Sequence, residues 1–389
     1  MVCSAGAPGC WCEQLLLDSE ASRALRAVAD NCVCKDCLGG YAQGSPVNGR
    51  LSLRVTVAAA LVLLGSLLLA LTIGPYPIGP VAIAQGALSH IPLLGVRSPL
   101  NTVESAIVWQ IRAPRVVLGA LVGGMLAVSG SAYQGVFRNA LADPYLLGVS
   151  AGAGVGATIV IAYAGGTAGT ELLPLAAFAG AVLAVVITYA LGTSVVGSAG
   201  GSGALILAGV AVAAFMTAIQ TLLQQRQTQT LQAVYSWILG GLAGASWHEV
   251  AIAAPYVILS AGVLVAHRRV LDVLSLGDEE ALSLGMNVRR TRLVIVAAAT
   301  IGTAGAVAVS GLIGFVGIIV PHTIRMTVSS SYRAIVPLSL LLGAAFLVLT
   351  DILARTLLSP AELPIGVVTA FFGAPFFALV LRRSRVLTL

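Results

Sequence analysis

The sequence predicts an all-α polytopic membrane protein with about ten transmembrane helices. Three observations lead there. Hydrophobic residues make up 58% of the chain and charged residues only 9%, against about 25% charged in a soluble domain. Mean hydropathy is +0.97. Apolar windows of roughly spanning length recur at 52–73, 115–133, 145–165, 172–193, 203–223, 250–267, 293–311, 312–328, 334–353 and 364–382. A spanning helix needs about 20 apolar residues. The windows are rich in Ala, Gly, Val and Leu without strict alternation, which favours helices over a barrel, whose strands alternate with period two. The 293–328 block reads either as one broken helix or as two short ones.

The arginines set the expected orientation. With the N-terminus inside, Arg50, Arg54, Arg138, Arg268, Arg269, Arg289, Arg290, Arg292, Arg325, Arg333, Arg382, Arg383 and Arg385 fall on the cytoplasmic side. Arg97, Arg112, Arg115, Arg226 and Arg355 fall outside. That bias predicts a multi-pass protein of the cell (inner or plasma) membrane with both termini cytoplasmic. The net charge of +6 then reflects topology; no basic stripe with interleaved aromatics points to nucleic acid. The first residues lack the basic start and apolar core of a secretory signal. The 44 glycines suit close approach of helices in lipid.

Lys35 is the only lysine, so no G-x-x-x-x-G-K-[ST] phosphate loop exists in this chain. Any ATP-driven motor must therefore be another polypeptide. Acidic residues lie near predicted span edges, as with Asp143, Glu171, Asp272, Asp351 and Glu362, and no acid–base pair stands out at mid-span. Ion-coupled carriers ordinarily place such groups inside their spans, so this reading is disfavoured and kept as a rival.

Residues 111–154, IRAPRVVLGALVGGMLAVSGSAYQGVFRNALADPYLLGVSAGAG, carry R-x-P-R, a small-residue helix, S-G-x-x-x-Q, an R-N-x-L-A-x-P turn and L-G-x-x-x-G-A. LGDEEALSLGMNVRRTR (276–292), SGLIGFVGIIVPHTIR (310–325) and DILARTLLSPAELPIGVVTAFFGAPFF (351–377) follow in order. Together these resemble the FecCD family, the permease subunits of ferric-siderophore and cobalamin ABC importers. The likeness covers about residues 50 to 385. Ala140 stands where the family has proline, and Ser329–Arg333 replaces a Gly-x-Asp-His-Arg-like turn. The resemblance implies a type II ABC importer permease fold with an inverted repeat. Ala127-Val128-Ser129-Gly130 recurs weakly as Ala308-Val309-Ser310-Gly311.

The resemblance also implies roles. Arg112, Arg115 and Arg355 would meet acidic residues of an extracytoplasmic substrate-binding protein through exposed guanidiniums; the alternative is snorkelling to headgroups. Asn139 and Leu141, with Ser202 between the fourth and fifth spans, would form the inner gate; the alternative is an ordinary turn in which Asp143 and Pro144 open the next helix. Asp278, Glu279, Glu280, Ala281 and Gly285, within about 270–291, would couple to a separate ATPase; the alternative is a solvated loop. Pro321-His322 reads as a kink with a hydrogen bond, or as a metal-binding or titrating histidine.

All six cysteines fall in residues 1–50, apart from the permease region 51–389. Cys10, Cys12, Cys34 and Cys37, with Cys3 and Cys32 nearby, are placed for a [2Fe–2S] cluster or a tetrahedral zinc; the alternative is a tail with incidental thiols. The implied machine pairs this chain with an identical or related permease, two ATP-binding cassette subunits and a binding protein, and catalyses no covalent step on this chain unless the cysteine arm binds a redox centre. Ferric siderophore is the first cargo implied, with cobalamin or haem as alternatives. An ion-coupled carrier or a membrane ferric-chelate reductase would be rivals.

Overall fold

A computed structural model describes residues 51–74, 76–89, 97–164, 166–196 and 202–386. The arm with its cysteines and Lys35 lies outside the described residues, so the metal expectation and the domain boundary at residue 50 do too. Every one of the ten predicted windows contains helix. In chain order, α1 is Leu53–Thr72, α2 Pro80–Ser89 and α3 Thr102–Ala106. A π-helical stretch, Ile107–Arg112, then runs directly into α4, Ala113–Phe137. There follow α5 Val149–Ile159, α6 Gly166–Val196, α7 Ser202–Arg226, α8 Leu231–Ile238 and α9 Trp247–Ala266. The remainder is α10 Arg268–Leu276, α11 Asp278–Ser283, α12 Val288–Ser310, α13 Val316–Thr327, α14 Tyr332–Thr356 and α15 Ile365–Val386. Among the described residues there is no strand.

Among the described residues, seven helical spans are long and apolar enough to cross a membrane: Leu53–Thr72, Thr102–Phe137, Leu172–Ser194, Gly203–Arg226, Trp247–Ala266, Val288–Ser310 and Tyr332–Thr356. Val149–Ala164 and Ile365–Val380 are shorter apolar helices. The chain is thus a multi-pass membrane protein. The ambiguous 293–328 block is two helices, α12 and α13. At 12 residues, α13 is about 18 Å long and cannot cross a hydrocarbon core of about 30 Å.

The central element is α4, which buries almost its whole circumference against α14, α12, α9 and α13. Its composition explains this: small residues let backbones approach where lipid supplies no hydrophobic drive for association. A Cβ on Gly130 would lie 2.1 Å from the Gly317 carbonyl oxygen of α13, and one on Gly152 of α5 would lie 2.2 Å from the Gly180 oxygen of α6. Opposite α12, Ser129 donates to the Ala299 carbonyl at 3.2 Å, while Met125 faces Gly302. That register makes α4 and α12 antiparallel, the arrangement an inverted repeat requires of the two A-V-S-G copies. Tyr133 adds a buried hydroxyl contact of 2.8 Å to Thr300.

Gly130→Val is therefore expected to overpack the α4–α13 contact and cost about 1–3 kcal/mol, read as a loss of unfolding free energy in mixed detergent.

Candidate functional site

One end of the bundle carries a buried ion network. Arg115 Nε donates to both Asp351 oxygens at 3.0 and 3.1 Å, and Nη2 donates to Oδ1 at 2.8 Å. The same guanidinium forks onto Glu362, Nη1 to Oε1 at 2.9 Å and Nη2 to Oε2 at 2.9 Å. Arg355 Nε stands 3.7 Å from Asp351 Oδ2, and its Nη2 donates to the Ala70 carbonyl. Arg112 donates to Leu71 O at 2.7 Å, Thr72 O at 3.1 Å and Tyr76 O. The last carbonyls of α1, orphaned by the end of the helix, are thereby capped by positive charge, which also suits the helix dipole.

This corrects an expectation. Arg112, Arg115 and Arg355 were expected to present exposed guanidiniums, yet they are 4%, 8% and 6% exposed. Their partners lie inside the protein because an unpaired charge there would be far costlier than a paired one. Asp351 belongs to this network as well; its place near a span edge gave no sign of the pairing.

At mid-depth the helices break. The segment Gly311–Phe315 joins α12 to α13, with Gly311 at φ 68° and Phe315 at φ 69°. A positive φ is strained for a ring-bearing residue. Gly317, just beyond, packs on Gly130, seven residues before Phe137 and about 10 Å inside the α4 terminus. Two more non-helical segments meet the break. Gly241 N donates to Ser310 O at 2.9 Å, Ile365 N to Gly240 O at 3.0 Å and Gly366 N to Leu239 O at 3.1 Å. Tyr145 closes the junction: its hydroxyl donates to Ile313 O at 3.0 Å and accepts from Ile313 N at 3.1 Å. The Phe315 ring fills the space where a Gly373 side chain would sit, 2.3 Å from that Cβ position.

The turn preceding Tyr145 is the predicted inner constriction. Arg138 ends α4 in the left-handed region at φ 51°. Asn139 Oδ1 accepts from Leu141 N at 2.9 Å, and Ala142 N donates to Asn139 O at 3.0 Å. Asp143 Oδ1 accepts from Tyr145 N at 2.8 Å, with Pro144 next in the first position of a 3-10 turn, Pro144–Leu147. Capping and turn chemistry thus coexist here. Ser202 is the first residue of α7.

The opposite end from Arg115 holds the other predicted residues. In α11, Asp278, Glu279 and Glu280 occupy the first turn, where acids suit the helix dipole. Ala281 is fully buried. Gly285, at φ 78°, ends the helix: its N–H donates to Leu282 O at 2.9 Å and Met286 N to Ala281 O at 3.0 Å, a Schellman cap. Asn287 caps α12 by accepting from Arg290 N at 3.0 Å. On α10, Leu271 and Leu274 are buried, and Asp272 holds the start of α14, accepting from Tyr332 N at 2.6 Å and Ser331 Oγ at 2.9 Å. Ser331 lies in the Ser329–Arg333 stretch set apart above, and here it caps α14. Arg325 donates to Gln134 Oε1 at 3.2 Å, and Gln134 Nε2 donates to Gly317 O at 3.1 Å. His322 stands edge-on to Phe376, centroids 5.9 Å apart; Pro321 lies within α13. Among the described residues no group of three or more His, Cys, Asp or Glu is arranged to hold a metal. Tyr145, Gln134 and Asp272 were not singled out as functional from the sequence; the first two lay inside the quoted motifs.

Arg115→Met is expected to strand the Asp351 carboxylate and lower stability by about 3–5 kcal/mol, measured by unfolding of the purified protein; Tyr145→Phe, which unpairs two backbone groups of Ile313, by about 1–3 kcal/mol.

Comparison with known proteins agrees with this architecture. The FecCD transport family model matches residues 61–383. The cobalamin import system permease protein BtuC of Halobacterium salinarum is 38% identical over 361 residues, 85% of this chain and 96% of the relative. The hemin transport system permease protein HmuU of Yersinia pestis is 37% identical over 351 residues, 87% and 98% of the two chains. The Fe(3+) dicitrate permease FecD of Escherichia coli is 35% identical, with 72% of this chain and 86% of the relative covered. A solved metal-chelate type ABC transporter in an inward-facing conformation superposes with TM-score 0.74 at 28% identity, covering 85% of this chain and all of that one. The chain therefore belongs to the FecCD transport family.

Proposed function

We propose that this chain is the membrane-spanning permease subunit of an ATP-driven importer of iron–siderophore complexes. The supporting observation is a lipid-spanning bundle, matched end to end by import permeases, whose chain holds no phosphate-binding loop. Energy must then come from separate ATP-binding cassette subunits. A second permease, identical or related, and an extracytoplasmic binding protein complete the assembly. An iron chelate is favoured because relatives named for hemin, Fe(3+) citrate, Fe(3+) dicitrate and Fe(3+) hydroxamate outnumber the cobalamin permease.

The orientation follows from charge. The Arg138 end also carries Arg268, Arg269, Arg289, Arg290, Arg292, Arg325 and Arg333, which supports a cytoplasmic position for it by the positive-inside bias. In this reading α11 meets the ATPase, the 139–141 turn and Ser202 line the inner gate, and the Gly311–Phe315 break is the part that yields. Non-helical backbone at membrane depth is tolerated where it lines a cavity or is buried in protein. The buried arginines at the far end hold the outer loops in place for a binding protein. We also propose that the cysteine arm holds an iron–sulfur cluster or zinc.

Proteoliposomes carrying this chain with its ATPases and binding protein should import labelled ferric siderophore only with ATP, and more than haem or cobalamin. Uptake driven by a proton gradient without ATP would contradict the reading. The purified full chain should contain either iron with sulfide, its visible absorbance lost in Cys34→Ser, or zinc; protein free of both metals would overturn the proposal for the arm.

A further inference from the structure

Asp278 opens α11, and its carboxylate is shared by two arginines from different helices. Arg292, in the second turn of α12, donates Nη2 to Oδ1 at 2.9 Å and to Oδ2 at 3.0 Å. Arg138, the residue that ends α4, brings its Nη2 to 3.5 Å from Oδ1. The Arg292 side chain is 12% exposed, against 39% for Arg138 and 38% for Asp278. One partner is thus enclosed and the other faces partly outward. The backbone is shaped to this contact. Gly277 adopts φ 146°, and a Cβ there would fall 2.0 Å from Glu280 Oε2 and 3.6 Å from Arg138 Nη1. Glu280 folds back over the glycine, and Arg138 lies across it.

Two routes lead from this carboxylate to one place. Through Arg138 the first passes the Asn139–Ala142 turn to Asp143, which binds Tyr145 N at 2.8 Å. Tyr145 then grips both backbone groups of Ile313. Through Arg292 the second runs along α12 to Ser310, where the helix ends. Ile313 lies three residues further on. The break is therefore held from both sides by elements that meet again at Asp278.

Stability alone does not account for the arrangement, because half-exposed ion pairs contribute about 0–1 kcal/mol. What a carboxylate shared by two guanidiniums does supply is geometry: both contacts are made together only while α4, α11 and α12 keep one relative position. We propose that Asp278 is a positioning residue that ties α11 to the inner turn and to α12 together, so that a displacement of α11 reaches the Gly311–Phe315 break along both routes. This rests on the permease reading above.

The test uses the assembled transporter in proteoliposomes, with whichever of labelled ferric siderophore, haem or cobalamin the wild type imports. The readout is cargo imported per ATP hydrolysed, which a purely structural pair would leave alone. Asp278→Asn and Arg138→Gln should each lower that ratio about three- to tenfold. The double variant should fall no lower than Asp278→Asn alone, since the Arg138–Asp278 contact is already lost there, and Arg138→Lys should recover most of the loss of Arg138→Gln. An unchanged ratio in both singles, or a double loss equal to the product of the single losses, would overturn the inference. Should Asp278→Asn fail to fold, Arg138→Gln against Arg138→Lys decides by the same ratio: loss and recovery support it, equal ratios refute it. A wild-type complex that hydrolyses ATP and imports none of the three cargoes removes the permease reading, and this inference with it.

Discussion

Lipid offers no partner for a backbone N–H or C=O, and that constraint shapes this molecule. Where helices stop at mid-depth, at 238–242, 311–315 and 363–366, the freed groups bond to one another across segments. Ile313 has no backbone partner at hand, and the Tyr145 hydroxyl serves both of its groups. An unsatisfied polar group in hydrocarbon costs several kcal/mol, so these breaks exist only as a set. The close approach of α13 to α4, through Gly130 and Gly317, brings the set together at one depth.

The two ends of the bundle are bonded differently. At the Arg115 end, one guanidinium binds two carboxylates; Arg115 and Asp351 are enclosed, with side-chain exposures of 10% and 3%, while Glu362 is 40% exposed at the edge of the network. Such enclosed, multiply bonded ions resist rearrangement, because opening them strands a charge. At the Arg138 end, the Arg138–Asp278 and Arg333–Asp272 pairs involve partly exposed side chains, which water can replace at little cost. Local opening is cheapest where buried contacts are few and polar groups reach solvent. A permease that takes its motion from an engine at the Arg138 end would be built with this asymmetry.

Much of this was legible in the sequence, for identifiable reasons. The spans follow from composition, and all ten windows contain helix. The end of α11 at Gly285 and the caps at Asn287 and Asp143 follow from local chemistry. Long-range pairing was not legible. Arg115 lies 236 residues from Asp351 and 247 from Glu362, and nothing local to an arginine at a span edge tells a buried ion from a snorkelling or docking one. The length of α13 was ambiguous because Gly311–Phe315 is as apolar as its flanks; only its partners reveal a break. Tyr145 was hidden in the same way, its target 168 residues away.

If a partner ATPase drives this permease as proposed, the Gly311–Phe315 junction yields when that ATPase closes. Hydrogen–deuterium exchange on the assembled transporter, nucleotide-free and with ATP bound but hydrolysis blocked, measures it directly. Amides of Gly311–Phe315 and Tyr145–Leu147 are expected to change their exchange with nucleotide, while those in the middle of α4 and α14 stay protected. Identical exchange of the junction in both states, with changes confined to the helix interiors or absent, would contradict it.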